Sequence, residues 1–152
     1  MTTTNLIVAK RAVIGYLQDK QATQPALNDV LIHYAYNPKL AEQEYVWGGA
    51  ARFVRGNAGL AGPYDEQISL ELFVDVRAFA AELEAADARG GEIAEVLDGL
   101  LSADPKLGNV VPGLVYRSVT SGEIAYGYYD DDSATSSLGL ELLLRCHLGS
   151  GR

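Results

Sequence analysis

Two residues that often act together as a nucleophile and its base are adjacent in this chain: Cys146 and His147. A cysteine becomes a strong nucleophile when a nearby imidazole takes its proton, so the pair could support acyl-transfer chemistry. Both residues lie in "SSLGLELLLRCHL", where leucines alternate with other residues as in a half-buried strand. Neighbours on a strand point to opposite faces, so these two side chains cannot meet. The pattern therefore predicts a core thiol and a surface imidazole.

Acidic side chains are the other candidates for chemistry. Asp130, Asp131 and Asp132 suggest an ion-binding loop, but a calcium loop needs alternating acids, a glycine and a distal glutamate. We interpret this run as a solvated hairpin tip. Glu71 and Glu141 could form a carboxylate pair for acid–base catalysis, yet the sequence places no nucleophile near them. A salt-bridged or interface role is favoured for both.

Glycine-rich segments and the remaining histidine add no catalytic set. "GGAARF" and "RGNAGLAG" lack the lysine and the strand-to-helix setting of a phosphate loop. His33 lies in a strand-like segment without an evident partner and is assigned a structural or surface role. We predict that the protein is not an enzyme and has no catalytic, metal-binding or cofactor-binding residues.

The charge balance argues against tight binding to nucleic acid. The 152 residues include 12 lysines and arginines against 20 acidic residues, for a formal net charge of −8. A protein that grips DNA needs clustered cations to replace the counterions of the phosphates. A single cysteine excludes an internal disulfide, and no run approaches the ~18 apolar residues of a membrane span. These features predict one soluble domain, residues 1–152, made in a reducing cytoplasm without membrane contact.

Two segments have helical spacing. Leu6, Ala9, Val13 and Leu17 recur at steps of three and four, which predicts a short first helix from an N-cap at Thr4 or Asn5 to about Gln21. The second and longer segment predicts one helix that can bend at a glycine pair. Its inward stripe is Phe79, Leu83, Ala86, Gly90, Ile93, Leu97 and Leu100.

The remaining segments have the pattern of strands joined by polar turns. The clearest is "QISLELFVDV", in which every second residue is apolar, and Tyr45, Trp47, Ala51 and Phe53 are expected on one face of another strand. Hairpin tips are expected near 55–65 and 129–137. The predicted fold is α+β, a mainly antiparallel sheet with a long helix packed on one face and a short N-terminal helix. The other predicted strands are "DVLIHYAY", "EYVWGGAARFV", "GLVYRSVTSGEIAYGYY" and "SSLGLELLLRCHL".

Phe73 and Leu143 break the alternation of their strands, because each is apolar on the side expected to face solvent. Glu71 and Arg145 lie on the same outer sides. Two apolar residues at matching places indicate a covered face, and nine tyrosines also suit a surface that becomes an interface. We expect these four residues at or beside a subunit contact.

The stretch "SADPKLGNVV" is a dense turn signal. Asp104-Pro105 ends the preceding helix, because proline cannot continue the helical hydrogen bonds and restricts the residue before it. Leu107 is expected to fold back onto the helix. Gly108 and Asn109 tolerate positive φ, so the chain can reverse there and send the paired valines into a strand.

These residues resemble a known family. A helix ending "VLDGLLSADPKLGNVV", after "QISLELFVDVRA" and before "LGLELLLRC", is similar to the tail terminator (tail completion) proteins of long-tailed bacteriophages. That family commonly shows an L-x-x-DP-x-LGG-x-V pattern at this place, and Asn109 stands where its second glycine is usual. Chain length and element order also match, so the resemblance covers nearly the whole chain.

The resemblance implies a structural role in the virion. Tail terminators form a ring, typically a hexamer, on the head-proximal end of the tail tube, where they stop tube polymerisation and meet the head–neck connector. DNA would pass through the ring without tight binding, and Asp130, Asp131 and Asp132 could line that route or contact a partner. The alternatives are another neck component, such as a head-closure (stopper) protein, and a small α+β enzyme or ligand-binding domain.

Overall fold

The described residues form an α+β structure with a five-stranded, mostly antiparallel sheet and two α-helices. The computed structural model describes residues 2–38, 43–54 and 65–147. The expected tip near 55–65 falls almost entirely outside them, as does Leu148. No helix in the described ranges is long and apolar enough to cross a bilayer. The elements are α1 (Thr2–Lys20), β1 (Leu31–His33), β2 (Glu44–Val54), β3 (Asp65–Phe79), α2 (Leu83–Ala103), β4 (Leu114–Tyr128) and β5 (Ser133–His147).

The strand order is β1-β2-β3-β5-β4. β1 pairs with β2 in parallel, and all the other pairs are antiparallel. β3 and β5 pair without interruption along their full lengths, from Asp65 opposite His147 to Phe79 opposite Ser133. Among the described residues β4 pairs with β5 and with no other strand, so it forms one edge of the sheet.

Both helices cover one face of the sheet, which we call the inner face. The even-numbered residues of β3 from Ile68 to Val76 are buried there, as are the even-numbered residues of β5 from Leu142 to Cys146. Helix residues Val13, Leu17 and Ile93 belong to the same apolar cluster. Burial of that alternating set is the main driving force of the fold, at roughly 1.5–3 kcal/mol for each fully buried large apolar side chain.

The first helix is longer than expected. α1 begins at Thr2, so Thr4 and Asn5 lie inside it rather than at its N-cap, and at 19 residues it is nearly as long as the 21-residue α2. Its expected inward residues Ala9, Val13 and Leu17 are buried. The prediction of a short N-terminal helix was wrong because a cap-type residue in the first turn can also be accommodated as a helical residue.

The second helix starts later than its apolar stripe indicated. Phe79 is the last residue of β3, with 67% of its surface exposed, and α2 begins at Leu83. Phe79 fits the helical spacing by coincidence, since pairing with Ser133 on β5 extends the strand to this point. From Leu83 the helix is continuous through the glycine pair, and Gly90 is buried, facing Val76 of β3.

Two strand predictions were also wrong. Only Leu31–His33 of "DVLIHYAY" pairs in the sheet. In β2, one extra residue between Gly48 and Ala51 shifts the register, so Ala51 and Phe53 pack toward the core whereas Trp47 lies opposite Phe73 on the other face. A β-bulge of this kind breaks the period of two, which the sequence pattern alone did not reveal.

Candidate interaction face

The odd-numbered residues of β3 and β5 form a second sheet face that neither helix covers. We call it the outer face. Every second pair of the two strands lies on this face, and four of these pairs are Phe73 with Gly139, Glu71 with Glu141, Ser69 with Leu143 and Gln67 with Arg145. The four residues expected at a subunit contact therefore lie together on neighbouring strands. Phe73, Glu71 and Leu143 are half-buried, and Arg145 is exposed.

An aromatic row crosses this face. The rings of Trp47 and Phe73 are stacked, with centroids 4.2 Å apart and planes within 18° of parallel. The ring of Tyr36 lies 5.1 Å from that of Trp47. Trp47 also donates from Nε1 to Asp75 at 2.9 Å, which fixes the indole orientation. The row is therefore a rigid, half-exposed aromatic platform of the kind enriched at protein interfaces.

Two glycines leave the room that the Phe73 ring occupies. A Cβ added to Gly49 would lie 2.6 Å from Phe73 Cε2, a distance that real side chains do not adopt. A Cβ on Gly139 would lie 3.1 Å from Phe73 Cε1. The ring consequently lies down along the sheet, and its partial burial comes from contacts within its own chain.

Beside the platform, carboxylates are gathered around one arginine. Glu71 lies directly opposite Glu141, a like-charge pair that would be destabilising if nothing intervened. Arg52 offsets it, since its guanidinium bonds to Glu141 and lies 3.8 Å from a Glu71 oxygen. A hollow of about 460 Å³ lies above these groups, bounded by Phe73 and by Glu123 of β4. With three glutamates and one arginine, the hollow carries a formal charge of −2.

Glu141 is held ionised by its hydrogen bonds. The hydroxyl of Ser69 donates to it at 2.6 Å and that of Ser121 at 3.0 Å. These two bonds, with the nearby Arg52 charge, lower the pKa of the Glu141 carboxyl. A general acid needs the opposite shift, so this arrangement does not suit Glu141 to that role.

The turn between α2 and β4 has the predicted conformation at its centre. α2 ends at Ala103, and the Asp104 carboxylate accepts the backbone N–H of Gly108 at 2.9 Å. Gly108 and Asn109 have φ of 71° and 57°. Leu107 also has positive φ, at 53°, and is buried, so core burial of its side chain offsets the strain of that conformation. Pro105 is exposed at the start of the turn.

The segment after the turn differs from the prediction. Val110 and Val111 were expected to enter a strand, but β4 begins only at Leu114. Val110 is 76% exposed. Together with Tyr16 and Leu107, the two valines line a largely apolar groove of about 470 Å³ against α1.

Backbone hydrogen bonds hold the hairpin tip at Asp130–Asp132 in place. Asp130 accepts the backbone N–H groups of Asp132 and Ser133, both at 2.8 Å, and these bonds lower the pKa of its carboxyl. The turn is shorter than expected, since β5 already begins at Ser133. A basic residue lies beside the tip, because Arg77 stacks over the Tyr129 ring at 4.5 Å and contributes to the lowered pKa of Asp130.

The candidate nucleophile lies in the core. Cys146 is 1% exposed, and burial, with a smaller contribution from the Glu66 charge, raises the pKa of its thiol to about 11. Such a thiol is inert at neutral pH. His33 lies edge-on to the Tyr45 ring at 5.8 Å. The described residues contain no cluster of three or more His, Cys, Asp or Glu side chains suited to a metal ion.

Several residues of this face were missed in the sequence. Arg52, Ser69 and Ser121 reach Glu141 from three different strands, and only the strand register could reveal that. Tyr36 was assigned to a strand but lies in the segment after β1, next to Ala35, whose carbonyl accepts the Tyr45 hydroxyl at 3.1 Å. The available signal was compositional, since the segments around β1 and β2 are rich in aromatic residues.

No protein-family model matches this chain, and no curated protein matches it in sequence.

Proposed function

We propose that this chain is a structural virion protein that forms a ring, a hexamer, on the head-proximal end of a phage tail tube. The ring ends tube polymerisation and joins the tail to the connector or neck protein of the head. The observation that carries the proposal is the outer face, which gathers Phe73, Glu71, Leu143 and Arg145 on an open sheet surface. The resemblance around Asp104–Asn109 supplies the virion context.

Ring assembly uses the outer face in a head-to-tail manner. A closed ring requires a heterologous contact, in which one patch of each copy meets a different patch of the next. The Trp47–Phe73 platform offers a preordered apolar centre, so little side-chain freedom is lost on binding. The hollow around Glu71 and Glu141 offers a negative rim that selects a neighbour with a basic group at that position.

DNA passes through the ring without being held. The net charge of −8 leaves few cations for phosphates, and Asp130, Asp131 and Asp132 are exposed at the end of the β4–β5 hairpin. In the proposed ring this tip, or the Glu71–Asp75 side of the outer face, adds negative potential along the DNA route. With a Debye length of about 8 Å at physiological salt, the repulsion acts only close to the wall.

The experiment is native mass spectrometry of the full chain, alone and bound to tail tubes of the same virus, with electron microscopy of tube ends. We expect a six-copy ring at one end of each tube and shorter tubes when the protein is present during polymerisation. Phe73→Asp should lose the ring and the capping while the monomer stays folded by circular dichroism. Val110→Asp adds the same charge at an exposed apolar residue outside the outer face and should leave both intact.

Two results would overturn the proposal. One is an absence of the protein from tube ends, together with tube lengths that do not change. The other is tight binding of duplex DNA at low salt in a retardation assay, which would indicate a DNA-gripping neck component instead. If the Phe73→Asp and Val110→Asp proteins form rings and cap tubes to the same extent, the outer face does not form the ring contact.

A further inference from the structure

The distal half of β4 lies at one edge of the described sheet. From Ser121 to Tyr128 every residue is exposed, and β5 is the strand that pairs with this segment in the described part of the chain. In an antiparallel strand half of the backbone N–H and C=O groups point away from the partner. This edge therefore presents a row of hydrogen-bonding groups to whatever lies beside it.

Other parts of the sheet edges are blocked. At the opposite edge β1 is only three residues long, and the Gln18 side chain donates to the Ile32 carbonyl at 2.8 Å. At the proximal end of β4, Tyr116 N–H donates to the Pro105 carbonyl at 2.7 Å. Two extra residues, between Tyr116 and Ser118 and between Val119 and Ser121, further distort that end. Such bulges and short strands are the usual protection of sheet edges.

The segment Ser121–Tyr128 lacks that protection. Its sequence, "SGEIAYGY", contains no proline or lysine, and Glu123 is its single charge. Its register with β5 is regular from Ser121 onward. Ile124, Tyr126 and Tyr128 all project on the inner side, and each is at least 45% exposed. A long regular edge with exposed apolar side chains is a template for another strand.

We propose that the Ser121–Tyr128 edges of two copies pair antiparallel about a two-fold axis at Ala125, which joins two five-stranded sheets into one continuous sheet. This contact goes beyond the ring function and uses the backbone edge of β4 rather than the β3–β5 face, although Glu123 also bounds the hollow of the outer face. A two-fold contact is isologous, so the segment must be complementary to itself.

The segment meets that requirement in the register centred on Ala125. Ile124 of each copy then lies opposite Tyr126 of the other, which gives two β-branched–aromatic cross-strand pairs. Tyr128 lies opposite Gly122, where the missing side chain leaves space for the ring to cover the glycine. Glu123 lies opposite Gly127, so the two glutamates do not meet. A register centred on Glu123 would place them face to face, at an electrostatic cost.

Gly127 supplies a test that is specific for the register. A Cβ at Gly127 would meet nothing within 4 Å, and its φ is not in the left-handed region, so a side chain is tolerated there. Gly127→Lys would place an ammonium opposite Glu123 at both symmetric positions, whereas Gly127→Glu would place a carboxylate there. Two such cross-strand charge pairs shift the dimer dissociation constant on the order of fivefold, downward for Lys and upward for Glu.

The measurement is analytical ultracentrifugation of the full chain over a dilution series. Gly99→Lys and Gly99→Glu make the same changes at an exposed glycine of α2, with free space around it, and control for net charge. We expect a reversible dimer that the Gly127 substitutions shift in opposite directions and the Gly99 substitutions leave within about twofold. Combining Gly127→Glu with Glu123→Lys should restore the dimer, because the charges are then exchanged between the same two positions.

The same series is run with Phe73→Asp, which removes the proposed ring contact. Dimers that persist in that protein support the edge contact even if the ring proposal fails. A chain that stays monomeric at every concentration in the Phe73→Asp protein overturns the edge contact. Gly127 variants that behave like the Gly99 variants, or a Gly127→Glu, Glu123→Lys combination that stays dissociated, overturn it as well.

Discussion

The two faces of the β3–β5 pair are built from alternate residues of the same two strands, yet they differ completely in what covers them. On the inner face Leu70, Leu72 and Leu142 are buried beneath both helices. On the outer face Phe73 and Leu143 are only partly buried, among carboxylates and hydroxyls. A shift of one residue along either strand therefore exchanges a residue that holds the fold together for one that is available to a partner.

The two faces also differ in how their polar groups are used. Ser69 on the outer face is buried but bonded to Glu141, whose charge is also offset by Arg52. Under the inner face, Tyr116 donates to Asp98 of α2 at 2.5 Å. Polar side chains thus anchor a helix on one side and organise an open charged surface on the other.

The largest difference between the faces should appear in the free energy of unfolding. Leu72→Ala opens a cavity beneath the helices and should cost about 2–5 kcal/mol. Leu143→Ala removes the same atoms from a partly exposed position outside the apolar core cluster and should cost about 1–2 kcal/mol, because part of the side chain already contacts solvent and no closed cavity forms. Urea unfolding at dilute concentration measures both, and similar losses for the two variants would mean that the outer face belongs to the core.

The folded protein should lose stability at alkaline pH, because the thiol of Cys146 is buried on the inner face. The folded thiol has a pKa of about 11, whereas the unfolded thiol ionises near pH ~8.5. Between these values the unfolded chain releases a proton that the folded chain keeps, so stability falls as pH rises, by about 1.4 kcal/mol per pH unit. The total difference over this window is therefore about 3 kcal/mol.

Cys146→Ala removes that titration and serves as the control. The free energy of unfolding of both proteins is measured in guanidinium from about pH 8 to 11. Tyrosines and lysines titrate equally in the two chains, so the difference between the two pH profiles reports the Cys146 thiol. Parallel pH profiles for the two proteins would contradict a buried, neutral Cys146.

Glu141 on the outer face should give a smaller pH dependence of stability, with the opposite sign. Hydrogen bonds from Ser69 and Ser121 hold the pKa of Glu141 below its usual value. The stabilisation is therefore fully present above the unfolded pKa of roughly 4.3 and is lost as pH falls through the folded pKa. Glu141→Gln should flatten the decrease in urea midpoint between about pH 6 and pH 3. Glu95→Gln, an exposed change on α2, is the matched control, and equal pH profiles for the two variants would exclude a special role for Glu141.

Much of the inner face could be predicted from the sequence. Period two in "QISLELFVDV" and steps of three and four in Ala86, Gly90, Ile93 and Leu97 identify the buried residues, because burial repeats with the geometry of each element. The chemistry of "DPKLGN" likewise predicts a helix end and positive φ at Gly108 and Asn109, because these preferences are local to the backbone. The positive φ of the neighbouring Leu107 was not anticipated, since only its burial against the core makes that conformation tolerable.

The outer face and the β4 edge were decided by the tertiary structure. Arg52, Glu71 and Glu141 meet because β2 and β5 both pair with β3, and the bulge after Gly48 determines which residues of β2 look outward. The edge position of β4 depends on strand order, which depends on how the whole chain packs rather than on the residues of β4. The alternation of apolar and polar residues along one strand indicates which of its residues are buried. Which strands become neighbours depends on contacts between distant segments, and a single sequence carries no local pattern for these.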